Sequence, residues 1–275
     1  MFITFIVQGV TIGAYAARLA GVQTGRIATS ISLFNLFMTA GRLANLFSAF
    51  FVGPLSDAAG NAVTRFAAFP IIVSAWQHTF EWQLRLIIFA GTLGMVCFAL
   101  LLPMFVYLFR RGIKSFEARG SLPHSLFRLA DFGVVSDVAR AQRIPPLHVL
   151  RAFSWRDLPK RMLIFNIVVT GVYAIGVQSS FLASILDPAA ARTAITLSGI
   201  INGIGTIAFT LFVDPTSSMI TDQAIRGERS MDQVKAMVLY LSVTAIIGTV
   251  LSQVIFYPAA QLIAFAAALF THTHA

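Results

Sequence analysis

Long apolar runs follow one another along this chain, separated by short polar turns and by one long basic stretch. Runs near 20 residues fall at Phe2–Ala17, Ile27–Gly53, Leu86–Phe109, Met162–Leu186, Thr193–Val213 and Ala236–Tyr257. A helix climbs about 1.5 Å per residue and a bilayer's hydrocarbon core is about 30 Å thick, so runs of this length cross it or nearly do. The pattern predicts an all-α, polytopic integral membrane protein with six membrane-spanning helices, forming a single membrane domain over residues 1–275. Two shorter apolar pieces, Phe66–Trp76 with Pro70 inside it and Ala259–Phe270 beyond Pro258, read as re-entrant or interfacial half-helices.

Composition agrees. Apolar residues make up 57% of the chain and charged residues 11%, with a mean hydropathy of +0.80; soluble domains carry roughly 25% charge. Ala14-Tyr15-Ala16 imitates a signal-peptidase site, but no basic leader precedes it, so the first run reads as a retained span. Cys97 is the single cysteine and lies inside an apolar run, which excludes a disulfide framework and a thiolate metal site.

The basic residues orient the helices. Between Arg110 and Arg161 stand 11 Lys or Arg against 4 Asp or Glu, so this loop belongs on the cytoplasmic side. Alternation then places Arg18, Arg26 and the Asp214–Lys235 loop inside and both termini outside, with only Arg65, Arg85 and Arg192 on the outer side. Phe116, Phe127, Phe153 and Trp155 interleave with the positives of the long loop, a mixture that suits contact with anionic membrane lipids. No nucleic-acid-binding module is recognisable there.

One charge falls inside a span. Arg42 lies within Ile27–Gly53, where a guanidinium costs roughly 2.5–3.5 kcal/mol on insertion scales and cannot discard its proton. It calls for a carboxylate from another helix or for an anionic substrate, a phosphate suiting its planar fork best. Thr29, Ser32, Asn35, Thr39, Arg42 and Asn45 recur at helical steps and form a polar stripe around it. Asp214-Pro215, with Asp222, reads either as the start of a new helix or as a gate pairing with a basic residue. Gly9-x-x-x-Gly13 and Gly199-x-x-x-Gly203 mark close helix approach, within the chain or to a second copy in a homo-oligomer. No phosphate-binding loop, His-Glu-x-x-His or Gly-x-Ser-x-Gly motif is present; the sequence calls for no cofactor, no metal and no hydrolytic machinery. His272 and His274 read as inert tail residues, and His78 with Glu81, beside Trp76 and Trp82, as part of an interfacial belt.

The run Ala14-Tyr15-Ala16-Ala17-Arg18-Leu19-Ala20-Gly21-Val22-Gln23-Thr24-Gly25-Arg26, then Ser32-Leu33-Phe34-Asn35 and Arg42-x-x-Asn45, resembles the Amj family of lipid II flippases, the alternate to the MurJ type. The likeness continues through Leu158-Pro159-Lys160-Arg161, Ser198 to Gly203, and Phe212-Val213-Asp214-Pro215 with Thr221-Asp222. The resemblance implies a non-enzymatic transporter that moves undecaprenyl-diphosphate-linked disaccharide-pentapeptide from the inner to the outer leaflet of a bacterial plasma membrane, for peptidoglycan synthesis. On that reading Arg18, Arg26 and Arg42 meet the diphosphate, and Asn35, Asn45 and Asn202 hydrogen-bond sugar and peptide. Two alternatives stand beside it: a membrane enzyme acting on a prenyl diphosphate, which needs clustered carboxylates at the membrane face, and a non-catalytic envelope-biogenesis scaffold, which leaves Arg42 unexplained.

Overall fold

The computed structural model describes residues 1–119, 154 and 156–272, apart from the side chains of 45, 46, 116–119 and 272. Most of the basic loop, with Phe127, Phe153 and Trp155, and His274 therefore lie outside the described residues, as do the side chains of Asn45 and Phe116. The described chain is helical: α1 Phe2–Thr24, α2 Ile27–Arg65, α3 Pro70–Leu100, α4 Leu102–Arg119, α5 Lys160–Leu186, α6 Ala191–Ala208, α7 Asp214–Ile225 and α8 Met231–His272. A 3₁₀ turn, Pro188–Ala190, precedes α6, and a π turn, Phe209–Val213, joins α6 to α7. Six stretches among these are long and apolar enough to cross a membrane, the α6–α7 pair counting as one.

Local chemistry sets the boundaries. Gly25, at φ 71°, ends α1 in the left-handed conformation that only glycine adopts without strain, and its own N–H and that of Arg26 return to the carbonyls of Val22 and Gly21. Pro70 opens α3, where its missing N–H costs nothing. Ser230 and Gln233 cap the start of α8 reciprocally, each side chain accepting the other's backbone N–H at 3.3 and 3.2 Å.

Two sequence expectations change here. The half-helices at Phe66–Trp76 and Ala259–Phe270 are not separate pieces: from Pro70 the first is the beginning of α3, and the second is the end of α8, which runs on through Pro258. The third span is correspondingly Pro70–Leu100 rather than Leu86–Phe109, and the chain from Leu102 belongs to α4. A hydropathy window breaks at proline, whereas a long helix tolerates proline when its neighbours hold it. Arg85, counted with the outer loops, is consequently a mid-helix residue of α3.

Packing centres on α1, which is buried without interruption from Ile12 to Gly21. Glycines permit the closest approaches: a Cβ on Gly94 of α3 would strike the backbone of Phe5, and Gly248 of α8 sits against the Ile167 carbonyl and Gly171 of α5. The Gly9-x-x-x-Gly13 face of α1 is filled from within the chain by the rings of Phe98 and Phe105. These contacts run α1 parallel to α3 and α5 parallel to α8, so the turns after α1 and α7 and the two ends of the basic loop share one end of the bundle. The C-terminus and the α2–α3 turn share the other, while the N-terminus stops short of it, beside Val52 of α2 and Ile87 of α3.

Candidate functional site

Arg18 comes from α1 at the end of the bundle that holds the basic loop, and it is wholly enclosed, with none of its surface exposed. Its guanidinium forms an ion pair with the Asp214 carboxylate, donates to Ser218 Oγ at 2.8 Å and lies 4.0 Å above the Phe34 ring. Asp214 is the first residue of α7, and its side chain is spent on Arg18 rather than on capping. Of the two expected roles, the side chain makes the pair with a basic residue and not the cap, a latch tying α1 to the π turn and α7. Arg18 is not an open residue at the membrane surface; Arg26, on the α1–α2 turn, is the exposed one.

Arg42 lies deeper. Its guanidinium carbon stands 5.9 Å from the Tyr173 ring and 5.5 Å from the Phe209 ring, and Tyr173 is the central residue of α5. No carboxylate pairs with it among the described residues, and its buried Nε has no hydrogen-bond partner. A pocket of about 40 Å³ opens beside it, lined by Gln8, Thr11 and Tyr15 of α1, Thr170 and Tyr173 of α5, and Phe209. That is small against the roughly 300–1,000 Å³ of ordinary ligand sites. Phe34 stacks on Tyr15 at 6.4 Å and on Phe209 at 6.4 Å, so an aromatic layer separates the latched Arg18 from the unlatched Arg42.

The layer is held from behind. Tyr15 donates to Asn166 Oδ1 at 3.0 Å, and Asn166 Nδ2 donates to the Leu241 carbonyl and Thr244 Oγ1 at 2.8 and 2.9 Å, joining α1, α5 and α8. Tyr173 hydroxyl bonds Thr206 of α6. The π turn, a form often found at functional positions, sets Phe209 between Phe34 and Arg42.

The remaining residues singled out from the sequence are scattered. Asn35 is exposed on the Arg42 side of α2. Asn202 is buried against Gly176 of α5, its amide unpartnered, and does not line the Arg42 pocket. Asp222 is exposed and pairs with Arg226 one turn later at 2.9 Å, not with Arg18. Glu81 bonds Arg85 at 2.8 Å rather than His78, whose ring instead meets the edge of Trp82. Arg85 also donates to the Gln253 carbonyl at 2.6 Å while Gln253 Nε2 donates to the Arg85 carbonyl at 3.0 Å, clasping α3 to α8. This clasp was missed because Arg85 sits just before an apolar run; the Glu81-x-x-x-Arg85 spacing was the available signal.

The chain is similar to known proteins over nearly its whole length. A family profile described as "Amj: Alternate to MurJ" matches residues 3–267. A protein of Bacillus subtilis (strain 168) named "Lipid II flippase Amj" is 35% identical over 254 residues, which cover 91% of this chain and 89% of that protein. No solved structure matches.

Proposed function

Since this chain belongs to the Amj family, we propose that it is a lipid II flippase, a multi-pass protein of the bacterial plasma membrane that carries the lipid-linked disaccharide-pentapeptide from the inner to the outer leaflet. The observation that carries the reading is Arg42: a guanidinium at the level of the α5 midpoint, facing aromatic rings and, among the described residues, short of both a carboxylate and a partner for Nε. An unpaired cation at that depth is expensive unless an anion visits it, and a diphosphate offers the bidentate acceptor that its fork fits. Charge pairing there is strong because water is scarce.

The other residues take their roles from their places. Arg26 meets the diphosphate at the inner surface. Arg18 follows once Asp214 releases it, a latch that a phosphate competes for. Asn35 serves the sugar on the same flank of α2. The pocket at Arg42 is too small for the whole headgroup, so only the diphosphate reaches toward it. Both termini face outside, and the exposed Arg110, Arg111 and Lys114 of α4 lie on the anionic inner leaflet. The drive comes from the membrane potential, an ion gradient or consumption of substrate outside.

The enzyme alternative is weaker on the same geometry. Its carboxylates, Asp214 and Asp222, are each committed to an arginine, and no group of three metal-binding side chains occurs among the described residues. The test is genetic and biochemical together. Cells depleted of their other lipid II flippases are expected to grow on this chain, with lipid II exposed on the outer leaflet. No growth and no exposure at normal membrane abundance would refute the assignment; phosphate release from a prenyl diphosphate by the purified protein would move it to the enzyme class.

A further inference from the structure

Helices α2 and α6 both pack on α5 without packing on each other as a pair. Between them the bundle is open to lipid. Tyr173 of α5 forms the floor, reaching Arg42 on one wall and Thr206 on the other. On α2 the exposed residues near Arg42 include Asn35 and Thr39 on its own face, polar side chains among the exposed Leu36, Ala40 and Leu43. On α6 the same flank carries Gly203 and Gly199, one and two turns outward from Thr206. A Cβ added to either glycine would meet no atom within 4 Å. The contrast with the first helix is direct, because the glycines of α1 at the same spacing are filled by Phe98 and Phe105.

From this geometry we infer that the cleft between α2 and α6 is the lateral track along which the polar headgroup of a polyprenyl diphosphate lipid moves, its tail remaining in the bilayer. The inference rests on the flippase reading and deepens it by assigning the path. Asn35 and Thr39 serve the inner half, Arg42 holds the diphosphate at the midpoint, and the side-chain-free flank of α6 gives the bulky headgroup room in the outer half. Polar groups facing lipid are costly, and a passing headgroup is the occupant that satisfies them. A second copy of the chain fits less well. A two-fold contact here would bring Arg42 against the same surface of its partner, and none of these cleft residues is a carboxylate to neutralise it.

The test places a photo-crosslinking p-benzoylphenylalanine at Thr39, Gly203 or Ile204 of the full chain in membranes, with radiolabelled lipid II as the probe. Ile204 is exposed on the flank of α6 turned away from the cleft. Label is expected at 39 and 203 at least ten times above that at 204. In parallel, Gly203→Leu at normal abundance is expected to lower outer-leaflet lipid II at least ten-fold, while Ile204→Leu leaves it unchanged. Equal labelling at 203 and 204, or capture of a second copy at 203 instead of lipid, would overturn the cleft. The two readings fail differently: if only the cleft is wrong, cells still grow on the chain and lipid II is captured elsewhere; if the flippase reading is wrong, neither happens.

Discussion

Arg18 and Arg42 lie one aromatic layer apart and both were singled out, but only Arg42 stands out from the apolar pattern itself. Arg42 stands out because it interrupts an apolar run; Arg18 lies near the end of a run, where an arginine is ordinary, and its partner is 196 residues away. Nothing in a single sequence pairs positions at that distance, and the same holds for Tyr15 with Asn166. The two arginines should respond differently to substitution. For Arg42, Lys keeps the charge but loses the fork, so Arg42→Lys should transport at a reduced rate and Arg42→Gln hardly at all, each at normal abundance; leaflet-resolved lipid II exposure reads this, and full transport by Arg42→Gln would sink its role. Arg18 and Asp214 should behave as a buried pair. Removing one partner costs roughly 3–5 kcal/mol because the other is left uncompensated, whereas removing both costs less. Thermal unfolding in detergent should therefore show Arg18→Gln and Asp214→Asn each strongly destabilised, and the double variant recovering part of the loss. Additive effects would mean that the latch does not couple them.

Among the elements, the glycine contacts and the π turn decide where the site sits. Both Gly-x-x-x-Gly motifs read alike in sequence, but one is packed and the other open, a difference that depends on which rings happen to face them. Gly248 was not singled out at all, although a Cβ there would come within 2.5 Å of the Ile167 carbonyl. Gly248→Leu should consequently reduce folded protein in the membrane, whereas Gly199→Ala, which meets open space, should not; equal abundance of the two would contradict the α5–α8 packing. The π turn was also invisible, since no residue pattern in Phe209–Val213 distinguishes five residues of π from five of α. It carries one extra residue through the turn and thereby fixes the direction of Phe209. Deleting Thr210, an exposed residue within it, should restore α geometry, rotate Phe209 away from Phe34 and Arg42, and abolish transport more than abundance. Retained transport in the deletion would show that the aromatic layer is not tied to the π turn.

For the molecule as a whole, the six crossings were legible because apolar length is a strong signal, but the true helix lengths were not. At about 1.5 Å per residue, α2 and α8 extend about 58 and 63 Å, well beyond a hydrocarbon core of about 30 Å, so they tilt or continue past it at the end that holds the C-terminus and the α2–α3 turn. The proposed orientation rests on the basic residues: those on the α1–α2 turn, the described ends of the long loop and the α7–α8 turn gather at one end of the bundle, the end that the positive-inside rule would assign to the cytoplasm. Moving Arg85 from an outer loop into α3 leaves still fewer positives outside and strengthens the asymmetry. A Cys97→Ser background allows one reporter cysteine at a time, and both Ala67, on the α2–α3 turn, and Glu228, on the α7–α8 turn, are exposed. With a membrane-impermeant thiol reagent on intact cells, Ala67→Cys should label, and Glu228→Cys should label only after the membrane is opened. The reverse pattern would invert the molecule, placing Arg26 and the Arg18–Asp214 latch at the outer leaflet and making the path from Arg26 to Arg42 an exit rather than an approach.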